Sequence, residues 1–292
     1  MEGNEVNITQ KHFMLIGMKE AYNDTLIKKM QEGLPSIEHP YSKKYDEGNS
    51  DTVFHLRKSA TTGDYFLHKF DMTAQRGENG ETRSQTFYLN HKKEEEGQKV
   101  KDNFTYKMAY NFLQGRPVHH AKSDSWERIK PKEKLQNGNF NSERFDKAYG
   151  YDVGKVIDEY SVVYKSSLKE SLERGNFQKE KFLNKEGKQE ELYVTPAIRS
   201  GSLILYDLDK KLIPLDQQIE KGYISQELGE KLKQRQLEQQ QKEQKTEQQD
   251  NKQTNNQTKD QKEKQQQSTK KGQKQKDGEP KAPRKQHKQT TG

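Results

Sequence analysis

The chain has 292 residues, of which 27% are apolar and 34% charged, with a net charge of +8 and a mean hydropathy of −1.37, a balance too polar for one uniform globule. It contains no cysteine, which excludes disulfides, thiolate metal sites and cysteine nucleophiles together and fits a reducing compartment. The averages conceal two unlike parts. All the aromatic residues precede Gln226, with 36 of the 53 basic and 35 of the 45 acidic residues. From Gln226 onward there are 17 basic residues, 10 acidic, 19 glutamines and four apolar residues, Leu228, Leu232, Leu237 and Ala282. The first part has enough apolar and aromatic surface for a core; the second cannot bury enough to offset chain entropy and is expected to be disordered.

The start, Met1-Glu2-Gly3-Asn4-Glu5, lacks the basic and apolar stretches of a signal peptide. The apolar run Phe13 to Met18 is far short of the roughly 20 residues that cross a bilayer. A cytoplasmic protein without a membrane partner is therefore expected. The first predicted element is a helix with Thr9 as N-cap and a break near Gly17. A longer amphipathic helix then carries Met18, Tyr22, Leu26 and Met30 at i, i+4 spacing and stops at Gly33 and Pro35. From Ser36 to Asn90 the period changes to two. Phe54 and Leu56 share a face, as do Phe66, His68 and Phe70, and then Phe87 and Leu89. Thr61 to Asp64 and Glu78 to Glu81 supply turn chemistry, predicting an antiparallel meander of three or four strands covered on one side by the N-terminal helices.

The charged stretch from His91 to Asn103 is read as a boundary. A helix follows with Thr105 as N-cap and Met108, Ala109, Phe112 and Leu113 as its apolar stripe, ending at Gly115 and Pro117. Short extended pieces are expected near Val118 and Trp126, and a helix over Tyr151, Val153, Val156, Ile157 and Tyr160. Ser167 to Glu170 reads as a capping box opening another helix, with Leu168 and Leu172 inward and Gly175 closing it. Phe177–Leu183, Glu190–Pro196 and Ser202–Tyr206 read as three strands, the first two a hairpin across Lys185 to Lys188. The expected class is α+β. The expected organisation is a helix-and-sheet unit over 1–90, a charged loop over 91–103, a small α+β domain over 104–215, a solvated helix over 216–245 and a disordered Gln/Lys-rich basic tail over 246–292.

Four ordered motifs carry a resemblance. Met108 to Val118, MAYNFLQGRPV, resembles the "EAYNLLNGRAV" element of an uncharacterised domain family of conjugative transposons from gut anaerobes. Phe145 to Asp152 resembles its "FHENYGYDLEKAL", Ser171 to Asn176 its "SLEKGN", and Leu203 to Asp207 its closing "INVYD". Upstream, Leu56 to Ser59, Asp64 to Phe66 and Ser84 to Tyr88 resemble a block that often precedes that domain, so the likeness covers most of Val53 to Leu212. Pro117 departs from the pattern. The family is sometimes attached to a type IA topoisomerase, so the resemblance implies a neighbourhood of DNA-processing partners, a topoisomerase or a conjugation protein, without implying a mechanism.

Candidate chemistry is sparse. Asp207 and Asp209, directly after an apolar strand, have the spacing of a divalent-cation pair, but Lys211 stands where a dehalogenase-like site needs Thr or Val, and a turn with solvated carboxylates is favoured. His119 and His120 are adjacent, and neighbours on a strand point to opposite faces, so a shared metal is disfavoured. His55 and His68 are placed to face each other across a hairpin as packing residues. No phosphate-loop, dinucleotide, HExxH or GxSxG motif occurs. No cofactor, metal or catalytic residue is assigned. Lys264, Lys270, Lys271, Lys274, Lys276, Lys281, Arg284, Lys285 and Lys288 form a basic run without aromatics, suited to weak, salt-sensitive and sequence-independent binding of DNA or RNA. The expected function is a non-enzymatic accessory protein of a mobile genetic element, docked on a DNA-processing partner and held near nucleic acid by the tail. The alternatives are a protein-interaction module with a spacer tail and a metal-dependent nucleic-acid-processing enzyme using Asp207 and Asp209.

Overall fold

The computed structural model describes residues 7–76, 80–91, 102–238 and 241. The protein is α+β. Met1–Lys233 forms one compact unit, and Gln234–Gly292 a second of which only residues 234–238 and 241 are described, all helical. Among the described residues no helix is long and apolar enough to cross a membrane.

Helices α1 (Ile8–Leu15) and α2 (Asp24–Gln31) precede an antiparallel meander of β1 (Ser36–Tyr45), β2 (Gly48–Lys58), β3 (Tyr65–Arg76) and β4 (Thr82–Tyr88), in that spatial order. The caps are asparagines. Asn7 Oδ1 accepts from the Thr9 amide and Asn23 Oδ1 from that of Leu26, whereas Thr9 is fully buried and donates its hydroxyl to the Tyr65 carbonyl at 2.6 Å. The expected long helix through Met18 and Tyr22 is replaced by a short 3₁₀ turn, Lys19–Ala21, because Asn23 starts a new helix.

The sheet's inner face carries Phe54, Leu56, Leu67, Phe70 and Met72, each at most 1% exposed. Phe66 and His68 do not share that face with Phe70. Register shifts between His55 and Leu56, so that Phe54 pairs with Phe70 and Leu56 with Leu67. One extra residue on β3 inverts the alternation, as a β-bulge must. His55 stands opposite Lys69 rather than His68 and bonds Asp71 Oδ2 at 2.6 Å. The turn over Thr61–Asp64 is present; the one predicted over Glu78–Glu81 lies largely outside the described residues.

Helix α3 (Tyr106–Leu113) starts at Thr105, whose hydroxyl accepts from the Met108 amide. It belongs to the first core. Tyr106 is buried against Phe54 and Phe70, and its hydroxyl bonds Ser50 at 3.0 Å and Thr52 at 2.9 Å on β2. The segment 91–103 therefore does not divide two cores: the cluster built on the meander continues through α3 to Val118, Ile129 and Phe140.

A second sheet, β5 (Val118–His120), β6 (Ser125–Lys134) and β7 (Phe140–Phe145), serves both cores. Its Ile129 and Phe140 belong to the first and its Trp126 and Phe145 to the second. The second core is completed by α4 (Val153–Asp158), α5 (Lys165–Glu173), the sheet β8 (Gln178–Leu183), β9 (Gln189–Ala197) and β10 (Ser202–Tyr206) with β9 central, and α6 (Leu215–Lys221). Helix α5 begins one turn before the expected capping box, after Tyr164 and with no side-chain cap, while Leu168 and Leu172 are fully buried as expected.

A last helix, α7, begins at 226 and is described to 238. The expectation of a solvated helix over 216–245 is corrected here. Residues 222–225 interrupt it, with Gly222 in the left-handed region at φ 79°, and Leu228 and Leu232 are 6% and 3% exposed in the second core. Two leucines four residues apart suffice to dock two turns.

Candidate functional site

The residues behind the family resemblance meet in space. Asn111, buried on α3, donates through Nδ2 to the Arg174 carbonyl at 2.7 Å and to Asn176 Oδ1 at 2.8 Å, and its Oδ1 accepts from Arg116 Nη2 at 2.7 Å. Asn176 in turn donates to Ser171 Oγ at 3.0 Å. Gly175 closes α5 at φ 76°, and a Cβ there would stand 2.7 Å from the Pro117 carbonyl and 2.9 Å from Val118 Cγ1. Only glycine fits that approach. The second motif is tied to the strand that carries the fourth, since the Tyr151 hydroxyl donates to the Ser202 carbonyl at 3.1 Å. The first and third motifs hold α3 to α5 and fix the direction of Arg116, and the second holds the start of α4 to β10.

Arg116 reaches from this node to Glu47, Nη1 to Oε2 at 2.5 Å, on the turn joining β1 to β2. Beside that pair lies a cleft of about 750 Å³. One wall comes from the meander and α3: Lys44, Tyr45, Asp46 and Glu47 at the β1–β2 turn, Arg76 at the end of β3, and Gln114 and Arg116 after α3. The other comes from the third sheet: Phe177, Thr195, Tyr206 and Lys210. Gln114 Nε2 donates to the Gln75 carbonyl at 3.2 Å and pins α3 to β3. Phe177 lies parallel to Tyr193, with ring centroids 4.7 Å apart, and edge-on to Tyr206 at 5.1 Å.

The cleft gathers positive charge. Lys44, Arg76, Arg116 and Lys210 face Asp46 and Glu47, and among the described residues only Arg116 of the four cations has an ion-pair partner. Burial pushes the Tyr206 hydroxyl up, against the pull of the Arg76 and Arg116 guanidiniums. Burial also pushes Tyr45 upward, so both hydroxyls remain neutral donors. Lys107 lies over the Tyr45 ring at 4.1 Å and the Tyr110 ring at 5.0 Å, and burial, aided by Arg116, brings its pKa down to about 8. Two buried donors on lining residues, Arg116 Nε and the Thr195 hydroxyl, have no partner among the described residues.

The residues singled out from sequence lie elsewhere. Asp207 is a turn residue whose Oδ1 accepts from the Lys211 amide at 2.8 Å, while Lys210 adopts φ 62°, and Asp209 is exposed. His119 and His120 diverge. The first packs on Trp126 and bonds Asp124 at 3.2 Å beside a smaller hollow of about 390 Å³. The second is buried against Phe104 and bonds Glu127 at 2.8 Å. Burial would raise the Glu127 carboxyl, but the hydrogen bonds from His120 and Ser142 prevail and hold it at about 2. Among the described residues no group of three or more His, Asp or Glu side chains is placed to hold a metal. Lys264, Lys270, Lys271, Lys274, Lys276, Lys281, Arg284, Lys285 and Lys288 lie outside the described residues.

Sequence reasoning missed the cleft. Arg116 and Tyr206 sit inside quoted motifs, but nothing in their spacing shows that a turn 69 residues before Arg116 would supply its carboxylate. No family model, curated protein or solved structure matches the chain.

Proposed function

We propose that the protein is a non-enzymatic accessory protein of a mobile genetic element, whose folded body docks on a DNA-processing partner such as a topoisomerase or conjugation protein while its basic C-terminal segment holds the complex near nucleic acid. The observation that carries this reading is the use made of the motif residues. Asn111, Arg116, Ser171, Gly175 and Asn176 join α3 to α5, so what the chain has in common with the mobile-element domain is a scaffold. Asp207, His119 and His120, the groups best suited to chemistry by type, are engaged in a turn and two separate hydrogen bonds. The charge division supports the tail's role: 36 basic against 35 acidic residues before Gln226, 17 against 10 after it.

Fluorescence anisotropy with duplex and single-stranded DNA over a salt series tests the tail, comparing the full chain with one ending at Glu238. That end point keeps Leu228 and Leu232 in the core. Affinity for long DNA should fall steeply with salt and drop on truncation; indistinguishable curves would remove the tail from the reading. Retention of the partner by the truncated chain after nuclease treatment tests the docking half.

A further inference from the structure

The cleft has more specific chemistry than either part of that reading requires. We infer that it binds one or two nucleotide units of a single strand, the phosphate against Arg76, Lys210 and Lys44 and the base along the Phe177–Tyr206 wall. The site is separate from the basic tail, and the inference does not depend on the mobile-element reading.

The charge argument comes first. Arg76 and Lys210 are exposed at the rim, come from different sheets, and have no carboxylate partner among the described residues. Asp46 and Glu47 offset only part of the charge of Lys44, Arg76, Arg116 and Lys210, and an oxyanion relieves the remainder. A guanidinium with an ammonium beside it suits a phosphate, which takes a fork from the one and a point charge from the other.

The aromatic wall narrows the class of anion. Phe177 and Tyr206 line the same cleft as the cations, and aromatic rings beside a basic groove are the means by which proteins hold unstacked bases. A phosphorylated peptide or free phosphate would satisfy the cations and leave these rings unused. Gln114 and Asp46, with the Tyr45 and Tyr206 hydroxyls, supply both acceptors and donors for base edges and sugar hydroxyls. Size agrees, since about 750 Å³ lies within the range of small-ligand sites and holds one or two nucleotides.

Calorimetric titration of the full chain with 5′-phosphorylated dithymidine, at near-physiological salt, tests the inference. One-site saturable binding is expected, weakened at least about tenfold in an Arg76→Ala, Lys210→Asn double variant, where asparagine tolerates the left-handed backbone at 210. Phe177→Leu should weaken the dinucleotide without altering binding of inorganic phosphate. A variant with Lys270, Lys271, Lys274 and Lys276 changed to glutamine should bind the dinucleotide as the unaltered chain does. Circular dichroism and thermal unfolding of each variant check that the fold is kept. Absence of binding, equal affinity for inorganic phosphate or phosphoserine, or loss in the tail variant in place of the cleft variant would each overturn the inference. Because the tail test uses long DNA and this one a dinucleotide, either can fail alone.

Discussion

Asn111 and Asn176 meet as an amide pair, Nδ2 to Oδ1 at 2.8 Å, although 65 residues separate them. The same Asn111 side chain carries the Arg174 carbonyl and the Arg116 guanidinium, so its removal takes a bond from each of three polar partners. Asn111→Ala should lower unfolding stability by about 2–4 kcal/mol, read from the urea midpoint. Gly175→Ala should cost a similar amount through the backbone clash with Pro117. A loss below about 1 kcal/mol in both would mean that α3 and α5 are held by other contacts.

Leu228 and Leu232 should behave as core residues although they lie in sequence of tail-like composition. Each change to alanine is expected to cost about 2–5 kcal/mol. Leu237→Ala, at a position 58% exposed, should change stability by less than about 0.5 kcal/mol. Equal small effects at all three positions would return α7 to solvent.

Acid should weaken the fold in a window set by His12. Its ring is 5% exposed, lies 3.9 Å from that of His91, and accepts from the Leu67 amide at 3.4 Å. Burial, then the His91 charge, brings its pKa down to about 4 from 6.5. Between those values the unfolded chain binds the proton and the folded one does not, so stability falls as pH drops from 6.5 toward 4. His39, lowered by burial and bonded to the Ala21 carbonyl, acts in the same direction. Glu127 acts in the same direction over a lower window, stabilising above 4.5 and losing that contribution only as pH falls toward 2. The urea-derived stability of the unaltered chain should fall by on the order of 2 kcal/mol between pH 7 and 5, and by distinctly less in His12→Gln. Parallel losses in the two proteins would exclude His12 as the source.

Thr195→Val should be neutral or stabilising, by up to about 1–2 kcal/mol, because it replaces a buried hydroxyl without a partner by a methyl of the same shape on a strand that favours β-branching. A stability loss above about 1 kcal/mol in thermal unfolding would show that the hydroxyl is bonded after all.

How much of this was legible depended on whether the information was local. The meander, the Thr105 cap, the inward Leu168 and Leu172 and the β8–β9 hairpin follow from period and turn chemistry within a few residues. Phe70 was misplaced with His68 because a bulge depends on the partner strand, and alternation within β3 alone cannot show it. Asn7 displaced Thr9 as the cap because Thr9 found a long-range acceptor at Tyr65. The cleft was hidden for the same reason. Its walls come from residues near positions 45, 76, 115, 177, 195 and 206, each unremarkable in its own neighbourhood, and only the packing of two cores around one middle sheet brings them together.

The passage of the first core across residues 91–103 also sets an order of events during synthesis. Phe54, Phe70 and Phe87 leave the ribosome well before Tyr106 and Phe112, the side chains that cover them. Until α3 emerges, the nascent meander has only the N-terminal helices, with Phe13 on Phe54, over its aromatic face, and Ile129 and Phe140 arrive later still. A chain cut between residues 91 and 102 would yield two pieces, each holding part of one core, that gain solubility only by finding each other.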